Sequence, residues 1–379
     1  MSQGSVHVVV AGGGFAAAEL LLALRALAEE RVTLELIAPS PRLVFKPAAT
    51  GQPFGEATIE EYDLRELADD VGARFRADAA EAVAPRVSRM RLSSGSVADY
   101  DALVLATGAR PIAAVPGATT YRDHRDSGTI GRLIADLRAG VVRDLVFAVP
   151  TGVAWTLPIY ELALLAAREI QAAGVLATVA VVTPEPAPLA VFGPEVSAAM
   201  TGLIADSGIH LESSARPGRV VREGLELAGG GTAPADRVIA VPRLMGRKIS
   251  GVPSNYSGFV ATDDRGRVES LSGVFAAGDM TDFPVKQGGI ATQQADVIAA
   301  EIARAAGADI EPAPLGHVLR TRLFGAPQPV FLQVELDAPG KPRPGSALPA
   351  VSGEAPWWPS AKLFGRHLSP WMARTRVAA

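Results

Sequence analysis

The sequence predicts an α/β protein with two Rossmann-like doubly wound units and a short C-terminal segment, on three observations. An apolar strand at residues 6–11 runs into Gly12-Gly13-Gly14-Phe15-Ala16-Ala17 and then into helix-forming sequence. A second strand–helix–strand rhythm recurs between residues 145 and 182. A further strand, 274–277, ends in Gly278-Asp279 and leads through Pro284-Val285-Lys286-Gln287-Gly288-Gly289 into a long helix. At 379 residues the chain exceeds what one hydrophobic core sustains, which fits two packed units plus an appendage.

Residues 16–28 carry helix formers with one apolar face, and 32–38 return as a strand, closing the first β-α-β unit. Residues 87–97 read as a small hairpin turning at Ser94-Gly95. A buried strand then spans 101–108 and ends in small residues, and 111–116 reads as a crossing into the second unit. There a strand at 145–149, a helix at 158–173, a strand at 177–182, the segment 198–206 and a strand at 238–241 complete a smaller doubly wound unit. Residues 263–267 signal a turn, 274–277 return to the first unit, and 290–305 form its long helix. The expected division is a split first domain, 1–112 with 244–320, a second domain, 113–243, and a C-terminal segment, 321–379, outside both sheets. Prolines mark that segment, as do Trp357, Trp358 and Trp371.

Composition narrows the function. Hydrophobic residues at 48% against 20% charged fit a folded globular chain, and a net charge of −4 gives no footprint for nucleic acid. With no cysteine, disulfides, thiolate metal sites and thiol redox relays are excluded. The five histidines show no ligand spacing, so no metal is expected. The N-terminal residues lack the basic segment and cleavage site of a signal peptide. The longest uncharged run, 145–160, is interrupted by Pro150, Gly152 and Pro158 and is too short to span a bilayer. A cytoplasmic protein is expected.

The motifs carry the chemistry. Gly12 permits a tight turn, Gly14 lets backbone approach a pyrophosphate, and Ala17 takes the place of the third glycine against the sheet. Phe15 and Ala16 open the helix whose free N–H groups and positive dipole end favour phosphate. The carboxylate that usually ends the second strand is replaced by Ser40, which suits a ribose hydroxyl. Arg42 suits the adenine or a phosphate, or else solvent. Ala106, Thr107 and Gly108 end a buried strand with small side chains, allowing close approach of a cofactor. Asp279, after Gly278, suits the hydroxyls of a flavin's ribityl chain, or else a simple turn. Lys286 and the helix N-terminus at Gly289 and Ile290 suit the N1/C2=O edge of the ring, where reduced flavin concentrates charge; an exposed loop lysine is the alternative. A pyrophosphate motif and a flavin motif at opposite ends of the chain argue together for bound FAD.

In this order the motifs resemble the FAD-dependent pyridine nucleotide-disulfide oxidoreductase superfamily. Within it they are similar to the sulfide:quinone oxidoreductase-like group, with type II NADH dehydrogenase as a cousin. Phe45-Lys46-Pro47 before Gly51, Tyr160-Glu161, and residues 284–289 carry the finer resemblance, over residues 6–320. It implies Pro47 among the cofactor-binding residues, a small-molecule electron donor, and an acceptor of the quinone type. It also implies that Glu161 relays protons near the flavin, against the alternative of a structural glutamate paired with Arg168. The resemblance further implies peripheral contact with the inner face of a membrane through the C-terminus, where Trp357, Trp358, Leu363, Phe364, Leu368, Trp371 and Met372 stand among Lys362, Arg366, Arg374 and Arg376. Packing of the tryptophans onto the protein's own first domain or onto a partner subunit is the alternative.

Two departures shape the reading. The group's sulfide oxidisers hold sulfur on cysteines, one of them just before the Tyr-Glu pair, where this chain has Trp155; a persulfide route is chemically unavailable. The NADH cousins need a second glycine fingerprint, but residues 148–158 lack its first glycines, place Pro158 at the helix start and put an indole in the phosphate cradle. Glu185 could still bind a ribose. The expected function is thus an FAD-dependent oxidoreductase without persulfide chemistry. An NAD(P)H dehydrogenase with an atypical nucleotide site and a non-catalytic flavin-binding scaffold or sensor stand as alternatives.

Overall fold

A computed structural model describes residues 5–314 and 316–378, with the side chains of 376–378, and so that of Arg376, outside the description. Its first sheet is parallel and five-stranded, in the order Val274–Ala276, Ala102–Leu105, Val6–Ala11, Val32–Ala38, Ala73–Ala77. The three inner strands and the edge strand Val274–Ala276 are almost wholly apolar because helices cover one face and the residues Val83, Met90, Leu92 and Ala98 cover the other. Ala11 pairs with Leu105, and Leu105 with Ala276, so three strands end level with one another. That common edge is where ligands bind in open α/β sheets. The fifth strand, Ala-Arg-Phe-Arg-Ala, lies at the sheet edge.

The helices Phe15–Ala28 and Gly288–Ala305 pack side by side on this sheet. Small residues make the close contact, with Ala17, Ala295, Ala299 and Ala303 fully buried, while Leu20, Leu21 and Leu24 fill the flanks. Each fully buried leucine contributes about 1.5–3 kcal/mol. The predicted hairpin is part of a three-stranded antiparallel sheet, Ala80–Ala84, Arg89–Leu92 and Val97–Asp99.

The second parallel sheet runs Thr119–Thr120, Arg237–Ala240, Asp144–Ala148, Thr178–Val182, His210–Glu212. The helix Leu157–Ala173 covers one face. A three-stranded antiparallel sheet, Pro217–Val221, Gly224–Leu227 and Thr232–Pro234, covers the other through Val115, Leu225 and Val238. The chain enters and leaves this sheet on two paired antiparallel strands, Ala109–Ile112 and Arg243–Gly246.

The C-terminal region is more ordered than the sequence suggests. His317–Leu323, Val330–Leu336 and Val351–Ser352 form a sheet of their own, and a helix, Leu368–Ala378, follows. Pro370 does not interrupt this helix because it lies in the first turn, where no intrahelical N–H is needed. The expected interfacial apolar face is turned inward. Leu363, Leu368, Trp371 and Met372 are buried in the core of the first sheet's helices. The Trp371 indole donates to Asp70 Oδ2 at 2.7 Å and leans on Tyr62, while Trp357 packs edge-on against Phe331 and donates to the Ala361 carbonyl. Trp358, 75% exposed, is the one large aromatic of this region left on the surface among the described residues. No described helix is long and apolar enough to cross a membrane.

Candidate functional site

The glycine-rich turn forms where the first strand meets the first helix. Gly12 adopts φ +139°, and its amide donates to the Ile37 carbonyl at 2.8 Å. A Cβ at Gly12 would lie 2.1 Å from the Ala106 carbonyl oxygen, so this position fixes how closely two strand ends meet. Gly14 differs. It is exposed, its backbone is extended, and a Cβ there would meet no protein atom within 4 Å. Gly12 is small for the protein's sake, whereas Gly14 keeps open space in front of the N–H groups of Phe15 and Ala16. The fit to a pyrophosphate is direct.

The late motif lies against the early one. A side chain at Gly278 would stand 3.3 Å from the Ala291 Cβ and 3.5 Å from the Ala16 Cβ, which puts the two ends of the sequence in contact. The Gly278 amide donates to Gln294 Oε1 at 2.6 Å, and Thr281 Oγ1 donates to the Gly278 carbonyl at 2.9 Å, fixing this turn from both sides. Asp279 then projects from the common strand edge, half-buried, with no hydrogen bond or ion pair from its carboxylate among the described residues. Burial raises its pKa, against the opposing fields of Lys286 and Lys46. A partly desolvated carboxylate without a donor matches the hydroxyls of a ribityl chain.

Lys286 lies near that carboxylate. Burial depresses its pKa to about 8, with Asp279 and Asp282 pulling the other way. Its ammonium donates to the Thr281 carbonyl and rests 4.0 Å from the centroid of the Phe259 ring. It is therefore held in place by protein groups, and it is not a free loop lysine. Thr107 Oγ1 reaches Met280 Sδ at 3.5 Å, and Gly108 takes φ +67°, both half-buried beside buried Ala106. Pro47 is half-buried in the short turn Lys46–Ala48, and the Lys46 ammonium stands 3.6 Å from Asp123.

Other predicted residues are placed differently. Ser40 is exposed beside Gly13 and accepts the Arg42 amide at 3.2 Å. Arg42 itself pairs with Glu61 across an exposed two-stranded sheet, so its guanidinium is engaged at the surface. The N-terminus of the late helix is one residue pair earlier than expected, at Gly288, with Gln287 as N-cap. Ile290 is buried, and its amide is satisfied by Gln287 Oε1 at 3.0 Å. At Gly288 the crowding comes from the tail and from Phe15, and at Gly289 first from Gln287 Oε1 at 3.0 Å. A Cβ at Gly288 would meet Leu363 at 2.3 Å, and one at Gly289 would lie 3.5 Å from the Phe364 carbonyl.

Glu161 is 1% exposed and all of its neighbours are protein groups. Thr50 Oγ1 donates at 2.7 Å, the Phe324 amide donates at 2.9 Å, and the Lys362 ammonium forms a buried ion pair. Lys362 also lies 3.9 Å from the centroid of Phe324, and burial depresses its pKa against the pull of Glu161. Arg168, the partner anticipated for Glu161, pairs with Glu56 instead. Lys362 was not singled out from the sequence as a partner for Glu161, since 201 residues separate them.

In the second strand–loop–helix turn Thr151 and Gly152 are exposed, and the residues after them pack inward. Trp155 packs against Phe192, ring centroids 6.0 Å apart, and joins the second hydrophobic core. Glu185 accepts from Thr156 Oγ1 at 3.1 Å, Tyr160 Oη at 2.7 Å, Thr183 Oγ1 at 3.2 Å and the Ala190 amide at 3.2 Å. Burial raises its pKa, and those donors oppose the shift. A carboxylate with four internal donors has little acceptor capacity left for a ribose.

Comparison with known proteins identifies the family and the fold. The family model described as pyridine nucleotide-disulphide oxidoreductase matches residues 6–297. No curated protein matches the sequence. Among solved structures, the sulfide:quinone oxidoreductase of the hyperthermophilic bacterium Aquifex aeolicus is similar at 20% identity and TM-score 0.76, over 87% of this chain and 84% of its own. A ferredoxin reductase from Rhodopseudomonas palustris is similar at 21% identity and TM-score 0.67, over 87% and 82%. The reductase of a covalent putidaredoxin reductase–putidaredoxin complex is similar at 18% identity and TM-score 0.65, over 88% and 82%.

Proposed function

The chain belongs to the pyridine nucleotide-disulphide oxidoreductase family, and on that footing we propose that it is an FAD-dependent oxidoreductase whose electron donor is a small molecule other than NAD(P)H. The single observation that carries this reading is the contrast between an open first cradle at Gly14 and a second one filled by Trp155 and Glu185. A quinone is the acceptor we favour, by analogy with the Aquifex aeolicus neighbour. The absence of cysteine removes the persulfide route.

Bound FAD would supply the redox step itself, and the protein supplies position and electrostatics. Phe15 and Ala16 offer helix N-terminal N–H groups to the pyrophosphate, and Gly14 leaves room for it. Ser40 suits the ribose, Asp279 the ribityl hydroxyls, and Thr107 and Gly108 the close passage between them. Lys286 would supply positive charge to the reduced ring of bound FAD, with burial depressing its pKa to about 8. Glu161 we assign to a structural clasp joining the second unit's helix to Thr50, Phe324 and Lys362 rather than to proton relay. The inward-facing tail supports no membrane contact through its tryptophans other than exposed Trp358.

The test is the flavin content of the purified protein, read by visible absorbance and by chromatography of the released cofactor. One FAD per chain is expected. A colourless protein that refuses added FAD overturns the reading, and a yellow protein that no donor bleaches would be a flavin-binding scaffold.

A further inference from the structure

Glu19 is the most deeply buried carboxylate outside the cofactor site, at 0% exposure on the first helix. It points away from the cradle, toward the C-terminal segment. Oε1 accepts the His367 amide and Oε2 accepts the Leu368 amide, both at 2.7 Å, so this side chain caps the helix Leu368–Ala378 from 348 residues away. The approach depends on Gly365, where a Cβ would lie 2.5 Å from Glu19 Oε2. Asp296, on the late helix, faces the same point. One ligand-type atom each of Glu19, Asp296 and His367 lies within 4.8 Å of the others, and Asp296 Oδ1 is buried without a hydrogen-bond partner. Two carboxylates this close in a dry site cannot both be ionised cheaply; one proton between them removes the repulsion and gives each a partner.

We propose that Glu19 and Asp296 share one proton and that this proton-bridged pair clasps the C-terminal segment onto the two cofactor-site helices. The consequence reaches the candidate site through packing. The clasped segment carries Leu363 and Phe364 over Gly288 and Gly289, and Thr292 Oγ1 donates to the Phe364 carbonyl at 2.9 Å. Glu19 and Asp296 are thus positioning residues for the N-terminus of the late helix. When the proton leaves for solvent, two carboxylates face each other, opposed by Arg366 on the tail and by the His367 and Leu368 amides. Burial first and Arg366 second hold the pKa of the His367 imidazole below the usual value. A cleft of about 600 Å³ is lined in part by Arg366, His367 and Arg374, the tail residues beside the pair.

The direction follows from burial. Desolvation raises Glu19 well above the usual carboxylate range, and it pushes Asp296 up to about 6. A group with a raised folded-state pKa stabilises fully below its unfolded value, and that contribution is lost as pH climbs through the folded value. Near pH 6 Asp296 gives up the pair's second proton, so the single shared proton, and the clasp with it, persists until pH climbs through the raised Glu19 value.

Hydrogen exchange on the full-length protein, corrected for intrinsic amide rates, reads this directly in peptides covering 363–372, with Val330–Leu336 as internal control. Protection of the tail peptide should stay level through the Asp296 step near pH 6 and then fall by up to about tenfold per pH unit as pH climbs through the raised Glu19 value, while the control stays level. In Asp296→Asn the amide donates to Glu19 at every pH, so the tail should stay protected and the fall should vanish. Asp296→Ser, which also offers a non-titrating donor, gives the same reading should the first variant not fold. A flat wild-type profile, or a variant that falls as the wild type does, overturns the clasp.

Discussion

The chain makes the same strand–loop–helix turn twice and finishes it in opposite ways. In the first, strand Val6–Ala11 passes through Gly12 at φ +139° to an exposed Gly14 and the helix starting at Phe15. In the second, strand Asp144–Ala148 passes through a loop that keeps one left-handed glycine, Gly152, and then places Trp155 against Phe192 before the helix starting at Leu157. The topology is shared, and so is the helix dipole. What differs is whether the loop's polar groups are left for a ligand. The Asp279 carboxylate has no hydrogen bond among the described residues and a Cβ at Gly14 would meet nothing, while Glu185 is satisfied by Thr156, Tyr160, Thr183 and Ala190. A doubly wound sheet supplies a place for a nucleotide, but a few side chains decide whether it is vacant for one.

The largest expected effect comes from making the open turn crowded. Gly14→Val should leave the flavin-free fold intact, since Gly14 is extended and its Cβ meets nothing, yet it should weaken FAD binding by more than about 100-fold, or about 3 kcal/mol. Paired measurements of the apoprotein's melting temperature and FAD affinity check this; retained FAD affinity would mean that the cradle lies elsewhere. Next in size is Lys362→Met, which strands buried Glu161 and should cost about 3–5 kcal/mol of stability. Denaturant unfolding reads it, and the double variant with Glu161→Gln should regain most of the loss. If Lys362→Met is neutral, the pair does not hold the second unit to the tail.

The sequence makes the first turn legible because its information is local: three glycines, a strand before and a helix after. Trp155 and Pro158 reveal the blocked second turn for the same reason. Less legible are contacts whose partners are far apart in the chain. Nothing near Glu161 announces Lys362, nothing near Glu19 announces Leu368, and the Gly278 amide's partner, Gln294, is one of two adjacent glutamines on a helix. The tail misleads for a physical reason. Aromatic and basic residues mixed over a short stretch suit a membrane surface, but they suit equally a segment that buries Trp371 and Lys362 while leaving Arg366 and Arg374 in solvent. The edge strand Ala73–Ala77 is hidden by its two arginines, which an edge tolerates and a central strand does not.

A smaller effect sharpens the electrostatic half of the comparison. Lys286→Met should lower the flavin's midpoint potential by on the order of 30 mV, about 1.4 kcal/mol for a two-electron couple. The difference from wild type should be full below about pH 8, where burial leaves Lys286 still charged, and should shrink above it. Potentiometry against pH checks both points. An unchanged potential would place Lys286 away from the ring.

The most direct measurement is an anaerobic titration of the FAD-loaded protein with NADH and NADPH, followed through the flavin's visible absorbance, with dithionite as the positive control for reduction. The account predicts that dithionite bleaches the flavin while neither nicotinamide changes the spectrum. Stoichiometric bleaching by NADH would contradict it, by showing that the turn filled by Trp155 and Glu185 still admits a nucleotide.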